Sequence, residues 1–159
     1  MEYEKLAVLC HKMVTEEALL GGQLTPECLQ QAIQEGRAIF IEQNQEIIAF
    51  GALWVRECSI ELGSLWVATE HRGKKLASEV FGQLVDHATN YPALFLITHV
   101  PQVIHLTQKC GMCESDKENW TKIVPWSASC GPCDRLSEID KVQCSFRAVE
   151  GECRLFYRN

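Results

Sequence analysis

The chain has 159 residues, 47% hydrophobic and 23% charged, with a formal net charge of −6. That length fits one domain able to bury roughly two-thirds of its unfolded surface, and the composition is globular rather than disordered. The negative charge argues against a general nucleic-acid binder, which needs a basic face, and no stretch reaches the ~18 apolar residues of a membrane span.

Residues 4–20 place Leu6, Val8, Leu9, Met13, Leu19 and Leu20 at the spacing of an amphipathic helix, with Gly21-Gly22 as its end. The opening residues lack the basic start and small-residue cleavage site of a secretory signal, so a cytoplasmic location is expected. Thr25-Pro26-Glu27 then offers an N-cap, a proline at the first helical position and an acidic first turn. The second helix runs to about Glu35, and Gly36 stops it. The period then changes. Residues 38–41 and 47–55 are apolar runs separated by Gln43-Asn44-Gln45-Glu46, which predicts a hairpin, and residues 60–67 supply a third strand.

A helix is predicted from about Gly73 to Ala88, with Leu76, Val80, Phe81, Leu84 and Val85 on one face. Leu94-Phe95-Leu96-Ile97-Thr98 is a short strand of the kind buried on both sides. Pro101 opens a further helix that Gly111 closes. Two helices, an antiparallel meander and then strand–helix–strand–helix make a mixed α/β (α+β) order, not a doubly wound parallel sheet. No internal repeat is present. The expectation is a single domain: a core of about residues 1–112 and a C-terminal extension of about residues 113–159, which holds five of the nine cysteines.

The chemistry concentrates after the third strand, in Arg72-Gly73-Lys74-Lys75-Leu76-Ala77. A strand ending near Val67, a polar loop and a new helix present free N–H groups and a positive dipole end, which suit a phosphate. Gly73 lets the backbone approach closely, and Arg72, Lys74 and Lys75 add positive charge. A surface helix with a basic first turn is the plain alternative. Positive charge there opposes the dipole, however, and wants an anion to balance it.

These residues resemble the GNAT N-acetyltransferase superfamily. Its members place Arg/Gln-x-x-Gly-x-Gly/Ala after their fourth strand and hold the pyrophosphate of acetyl-CoA on its backbone amides. Arg72 and Ala77 match that pattern, and Lys75 stands where it has glycine. The resemblance implies that Leu65, Trp66 and Val67 lie where the strand splays and pairs with the pantetheine arm. Downstream, Leu96-Ile97-Thr98-His99 and Leu106-Thr107-Gln108-Lys109-Cys110-Gly111-Met112 look like the family's fifth strand, fourth helix and Lys-x-Gly-Phe turn, with Met112 replacing the aromatic. Within the superfamily the similarity leans to the acetyltransferase domain of N-acetylglutamate synthases. A mixed, mostly antiparallel sheet flanked by helices is the implied fold.

Acetyl transfer to an amine needs a base to free the nitrogen lone pair and stabilisation of developing negative charge. Glu61 stands where some members carry a general-base glutamate, although an ordinary carboxylate at the sheet edge is its other reading. His99, at the end of a buried strand, is a second candidate base because imidazole titrates near neutral pH. Thr107 falls where many relatives carry a general-acid tyrosine, and an alcohol donates a proton less readily than a phenol. His105 reads as a surface residue.

The cysteines carry a separate expectation. In a reducing compartment they are not a disulfide framework. Cys130, Cys133, Cys144 and Cys153 could close a four-thiolate structural zinc site, their alternative being reduced and partly buried thiols. Cys130-Gly131-Pro132-Cys133 also has the thioredoxin dithiol spacing, without the strand and helix that chemistry needs.

The leading reading is therefore an acetyl-CoA-dependent N-acetyltransferase acting on a small amine or amino-acid-like substrate. Its alternatives are a catalytically weak CoA-binding or sensory module, and a zinc or redox cysteine protein on a GNAT-like scaffold. Nucleic acid and membrane are not expected partners; an exposed sheet edge leaves room for a homodimer.

Overall fold

The computed structural model describes residues 2–17, 24–55, 59–116 and 154–158. The chain divides into two compact units, Met1–Trp54 with Leu62–His87, and Val55–Glu61 with Ala88–Asn159.

In the first unit, helix α1 (Tyr3–Glu17) buries Leu6, Leu9, Cys10 and Met13, an i, i+3, i+4, i+7 stripe. Helix α2 (Pro26–Gln34) begins as its residues dictate: the Thr25 hydroxyl accepts a hydrogen bond from the Cys28 N–H at 3.2 Å, and Pro26 fills the first helical position. Strands β1 (Ala38–Gln43) and β2 (Glu46–Val55) form the expected antiparallel hairpin. Its two turn residues, Asn44 and Gln45, both take positive φ, at 51° and 67°, the twist that suits a two-residue hairpin. Eight consecutive residues of β2, from Ile47 to Trp54, are buried.

Helix α3 (Leu76–His87) packs Val80, Phe81, Leu84 and Val85 inward. It lies so close to β2 that a Cβ on Gly51 would meet Leu84 Cδ1 at 2.7 Å and Val80 Cγ1 at 2.9 Å. The helix starts three residues later than Gly73, because residues 73–75 form an irregular turn instead. It gives way to a 3-10 turn over Ala88–Asn90. The core of this unit gathers Leu6, Leu9, Met13, Leu29, Phe50 and Trp66.

Strand β3 (Ile60–Val67) begins in the second unit, where Ile60 pairs in parallel with Leu94 and Glu61 with Phe95 of β4 (Leu94–Thr98). Helix α4 (Pro101–Lys109) follows, and Gly111, at φ 72°, closes it. Two strands arise in the stretch read from sequence only as an extension: β5 (Cys113–Ser115) and β6 (Arg154–Arg158). Strand β6 runs antiparallel to β4 on one side and to β5 on the other, with Phe156 opposite both Leu96 and Glu114. Leu155-Phe156-Tyr157 is too short a run to show a period, so pairing alone reveals it as a strand. Strand order is β1-β2-β3-β4-β6-β5, a six-stranded, mostly antiparallel sheet in a mixed α/β chain, as expected. Among the described residues no helix is long and apolar enough to cross a membrane.

Candidate functional site

Strand β3 changes character halfway along. Its first two residues pair regularly with β4, whereas Leu62 and the residues after it continue beyond that register. Alternation would bury Ser64 between Leu62 and Trp66, yet Ser64 is half-buried and takes a φ of 55°, a left-handed conformation uncommon for a side-chain-bearing residue in a strand. Its hydroxyl accepts a hydrogen bond from Trp54 Nε1 at 3.2 Å. Past this kink, Trp66 is 1% exposed, and its indole N–H donates to Glu16 Oε2 at 3.1 Å. The Trp66 side chain thus belongs to the core, so any ligand contact it makes comes through its backbone. Leu65 and Val67 are half-buried on either side of it.

The turn that follows is pinned at both ends. The Ala68 N–H donates to the Ile48 carbonyl at 2.9 Å, and Thr69–His71 form one 3-10 turn. Arg72 Nε donates to the Val67 carbonyl at 3.2 Å, fastening the turn to the end of β3. Gly73 takes a φ of 78° and Lys75 a φ of 65°, so the chain enters the left-handed region twice within three residues. The Lys75 carbonyl accepts the first helical bond of α3 from the Glu79 N–H at 3.1 Å, which makes Lys75 the N-cap. The first N–H groups of any helix lack intrahelical partners, and here they lie next in the chain to exposed Lys74 and Lys75. Leu76 and Ala77 are half-buried and anchor the first turn. Lys74 Nζ lies 3.4 Å from His71 Nδ1.

This arrangement suits an anion on three counts: a positive dipole end, exposed cations, and open space at Gly73, where an added Cβ would meet nothing within 4 Å. Lys75 stands where the motif it resembles has glycine. Lys75 adopts the conformation that glycine would favour.

The candidate chemical residues lie in the second unit. Glu61 is half-buried on β3, opposite Phe95. His99 follows β4, and burial pushes its pKa below the ordinary imidazole value, so the neutral, proton-accepting form dominates at neutral pH. Thr107, the residue at the acid position, lies on α4. It is fully buried, and its hydroxyl donates to the Ile104 carbonyl at 2.7 Å, so its proton is engaged inside α4. His105 is exposed, as expected.

Cys130, Cys133, Cys144 and Cys153 lie outside the described residues. Among the described residues, no group of three or more metal-ligating side chains is placed to hold an ion. Cys10 behaves as a core residue: burial, then the nearby Glu27 carboxylate, pushes its thiol up to about 11. Cys113 is exposed on β5. Reading the sequence did not single out Ser64, Trp54 or Glu16, because nothing in a strand's residue pattern announces a positive φ or the acceptor of a buried indole.

Residues 11–112 match the sequence model of the Acetyltransferase (GNAT) family. Several solved structures share the fold. An acetyltransferase of the GNAT family from Staphylococcus aureus Mu50 is similar with a TM-score of 0.60 at 15% identity, covering 99% of this chain and 92% of that one. The N-acetylglutamate synthase of Neisseria gonorrhoeae, complexed with coenzyme A and N-acetyl-glutamate, has a TM-score of 0.58 at 14% identity, covering 98% of this chain and 32% of that one. The putative acetyltransferase yncA of Salmonella typhimurium, with its cofactor acetyl-CoA, also has a TM-score of 0.58 at 14% identity, covering 73% of this chain and 78% of that one. A search of curated protein sequences returns no match.

Proposed function

This chain belongs to the GNAT acetyltransferase family, and we propose that it is an N-acetyltransferase that moves the acetyl group of acetyl-CoA to the primary amine of a small molecule or amino-acid-like substrate. The observation that carries this reading is the pinned turn after β3, with left-handed Gly73 and Lys75 opening the N-terminus of α3 beside exposed Lys74. Further support comes from relatives of the same fold solved with acetyl-CoA, or with coenzyme A and an N-acetylated amino acid.

In this reading, the backbone N–H groups around Gly73, Lys74, Lys75, Leu76 and Ala77 receive the pyrophosphate, with Arg72 holding the turn in place. Backbone groups of Leu65, Trp66 and Val67 pair with the pantetheine arm. Acetyl-CoA supplies the acetyl group as a thioester, whose C–S bond breaks as the C–N bond to the amine forms, CoA leaving as its thiolate. Glu61 takes the proton that the amine nitrogen loses, directly or through one water. His99, held neutral by its burial, is the second group able to accept that proton. Thr107 has no part in the chemistry, because its hydroxyl is committed to Ile104.

Calorimetric titration with acetyl-CoA, followed by chromatographic detection of free CoA across a panel of amines and amino acids, tests the reading. Saturable binding and amine-dependent CoA release are expected. Glu61→Gln should lower kcat by roughly a hundredfold while leaving acetyl-CoA affinity unchanged. Absence of acetyl-CoA binding at millimolar concentration would overturn the proposal. Binding without turnover on any amine would point instead to a CoA-binding module.

A further inference from the structure

We propose that Trp54, Gly63 and Ser64 form a lock that presets the kink in β3, with Trp54 and Ser64 acting as positioning residues for the pantetheine arm. This deepens, and rests on, the reading of β3 as the cofactor strand. Three observations converge on the lock. Ser64 holds a φ of 55° in mid-strand, a conformation that is strained for a side-chain-bearing residue and persists only where its surroundings impose it. Trp54 supplies the imposing contact: it is 7% exposed, and its indole N–H donates to Ser64 Oγ at 3.2 Å. A buried indole N–H needs an acceptor, so the bond holds Ser64 and Trp54 together from both sides.

Gly63 makes the geometry possible. A Cβ at that position would lie 3.1 Å from Trp54 Cδ1 and 3.2 Å from Trp54 Nε1. The edge of the indole that carries its N–H therefore lies against the Gly63 backbone. Any side chain at Gly63 would press on the atoms that reach Ser64. On the far side of the kink, Trp66 is anchored to Glu16 through its own indole N–H. Strand β3 is thus clamped on both sides of Ser64 by buried indoles, and the residues proposed to pair with pantetheine, Leu65 to Val67, begin immediately after it.

A clamp of this kind has a functional consequence. A flexible arm pairing with a backbone edge gains affinity when that edge is already in the bound conformation, because ordering it at the moment of binding would subtract from the free energy of association. The lock does this ordering during folding. Trp54 and Ser64 need not touch the cofactor to have this effect; they act through the backbone of Leu65 to Val67.

The test compares two ligands that differ only in the pantetheine portion. CoA carries the arm, whereas adenosine 3′-phosphate 5′-diphosphate keeps the nucleotide and the pyrophosphate without it. Trp54→Phe keeps an aromatic ring, smaller than the indole, but removes the N–H, and Ser64→Ala removes its acceptor. Calorimetry on each full-length variant, with its melting temperature measured alongside, should show CoA affinity falling about tenfold while nucleotide affinity stays within about twofold. The double variant should be no weaker than the worse single variant, since either change breaks the same contact. Equal losses for both ligands, or losses that add in the double variant, would reduce the contact to ordinary packing and overturn the proposal. Unchanged CoA affinity would overturn it too. Should the unmodified protein bind neither ligand, the cofactor reading itself fails and this inference falls with it.

Discussion

The turn after β3 and Thr107 of helix α4 both offer polar groups, yet they use them in opposite ways. In the turn, Lys74 and Lys75 stay exposed, and Gly73 and Lys75 hold left-handed backbone at the start of a helix, where main-chain N–H groups lack intrahelical partners. In α4, Thr107 turns its hydroxyl inward to the Ile104 carbonyl and has no surface exposure. The contrast shows that residue type is a poor guide to role in this chain. What matters is whether a polar group's hydrogen-bonding capacity is used up within the fold or left available to a ligand.

Four substitutions or titrations would break or sharpen that contrast. The largest effect is expected from Gly73→Val. A β-branched side chain at a φ of 78° has ample space but no comfortable conformation, at a strain of about 1–3 kcal/mol, so acetyl-CoA affinity should fall on the order of tenfold or more. Calorimetry would read it, and an unchanged Kd would mean that the turn is not the anion cradle.

Thr107→Val comes next. It keeps the volume but removes a buried hydrogen bond, so urea unfolding should show a loss of about 1–2 kcal/mol while turnover per folded molecule stays within about twofold. A hundredfold fall in kcat at unchanged stability would return Thr107 to the chemistry and erase the contrast between the two regions.

Lys75→Gly should act in the other direction. Relief of the left-handed strain, partly offset by the greater freedom of glycine in the unfolded chain, should stabilise the protein by up to about 1 kcal/mol, or about 2–4 °C in Tm. Loss of the lysine charge should weaken acetyl-CoA binding by less than about threefold, because the backbone donors remain. A larger loss measured by calorimetry would shift the weight of binding from the main chain to the side chain.

The smallest effect concerns His99. Burial lowers its folded pKa below the ordinary value near 6.5, so between those two values the unfolded chain binds more protons than the folded one. Stability should therefore fall as pH drops through that window and be fully present above it. His99→Gln should flatten this part of the pH–stability curve measured by denaturant unfolding. An unaltered slope would assign the acid sensitivity to other groups.

Much of the architecture was legible beforehand. Thr25-Pro26 marked the start of α2, the apolar runs on either side of Gln43-Asn44-Gln45-Glu46 marked the β1–β2 hairpin, and the inward stripe of α3 named its own buried face. The turn after β3 was legible for a different reason: charge, glycine and a strand-to-helix junction coincide in six consecutive residues. Strands β5 and β6 were not legible. Cys113-Glu114-Ser115 carries no strand signature, and Arg154-Leu155-Phe156-Tyr157-Arg158 is apolar only at its centre, so both exist because of the partners they pair with.

The same limit applies at the site. By itself the sequence determined the order of the elements from α1 to α4, the family resemblance and the position of the turn, since each depends on residues close together along the chain. Tertiary structure alone decided that Ser64 would kink β3 against Trp54, that Trp66 would turn its side chain to Glu16, and that Thr107 would be sealed inside α4. Each depends on where a buried polar group finds its partner, and for Trp66 that partner lies 50 residues away in the chain. Local periodicity carries no information about such pairings; the cost of leaving a buried donor unsatisfied enforces them once the chain has folded.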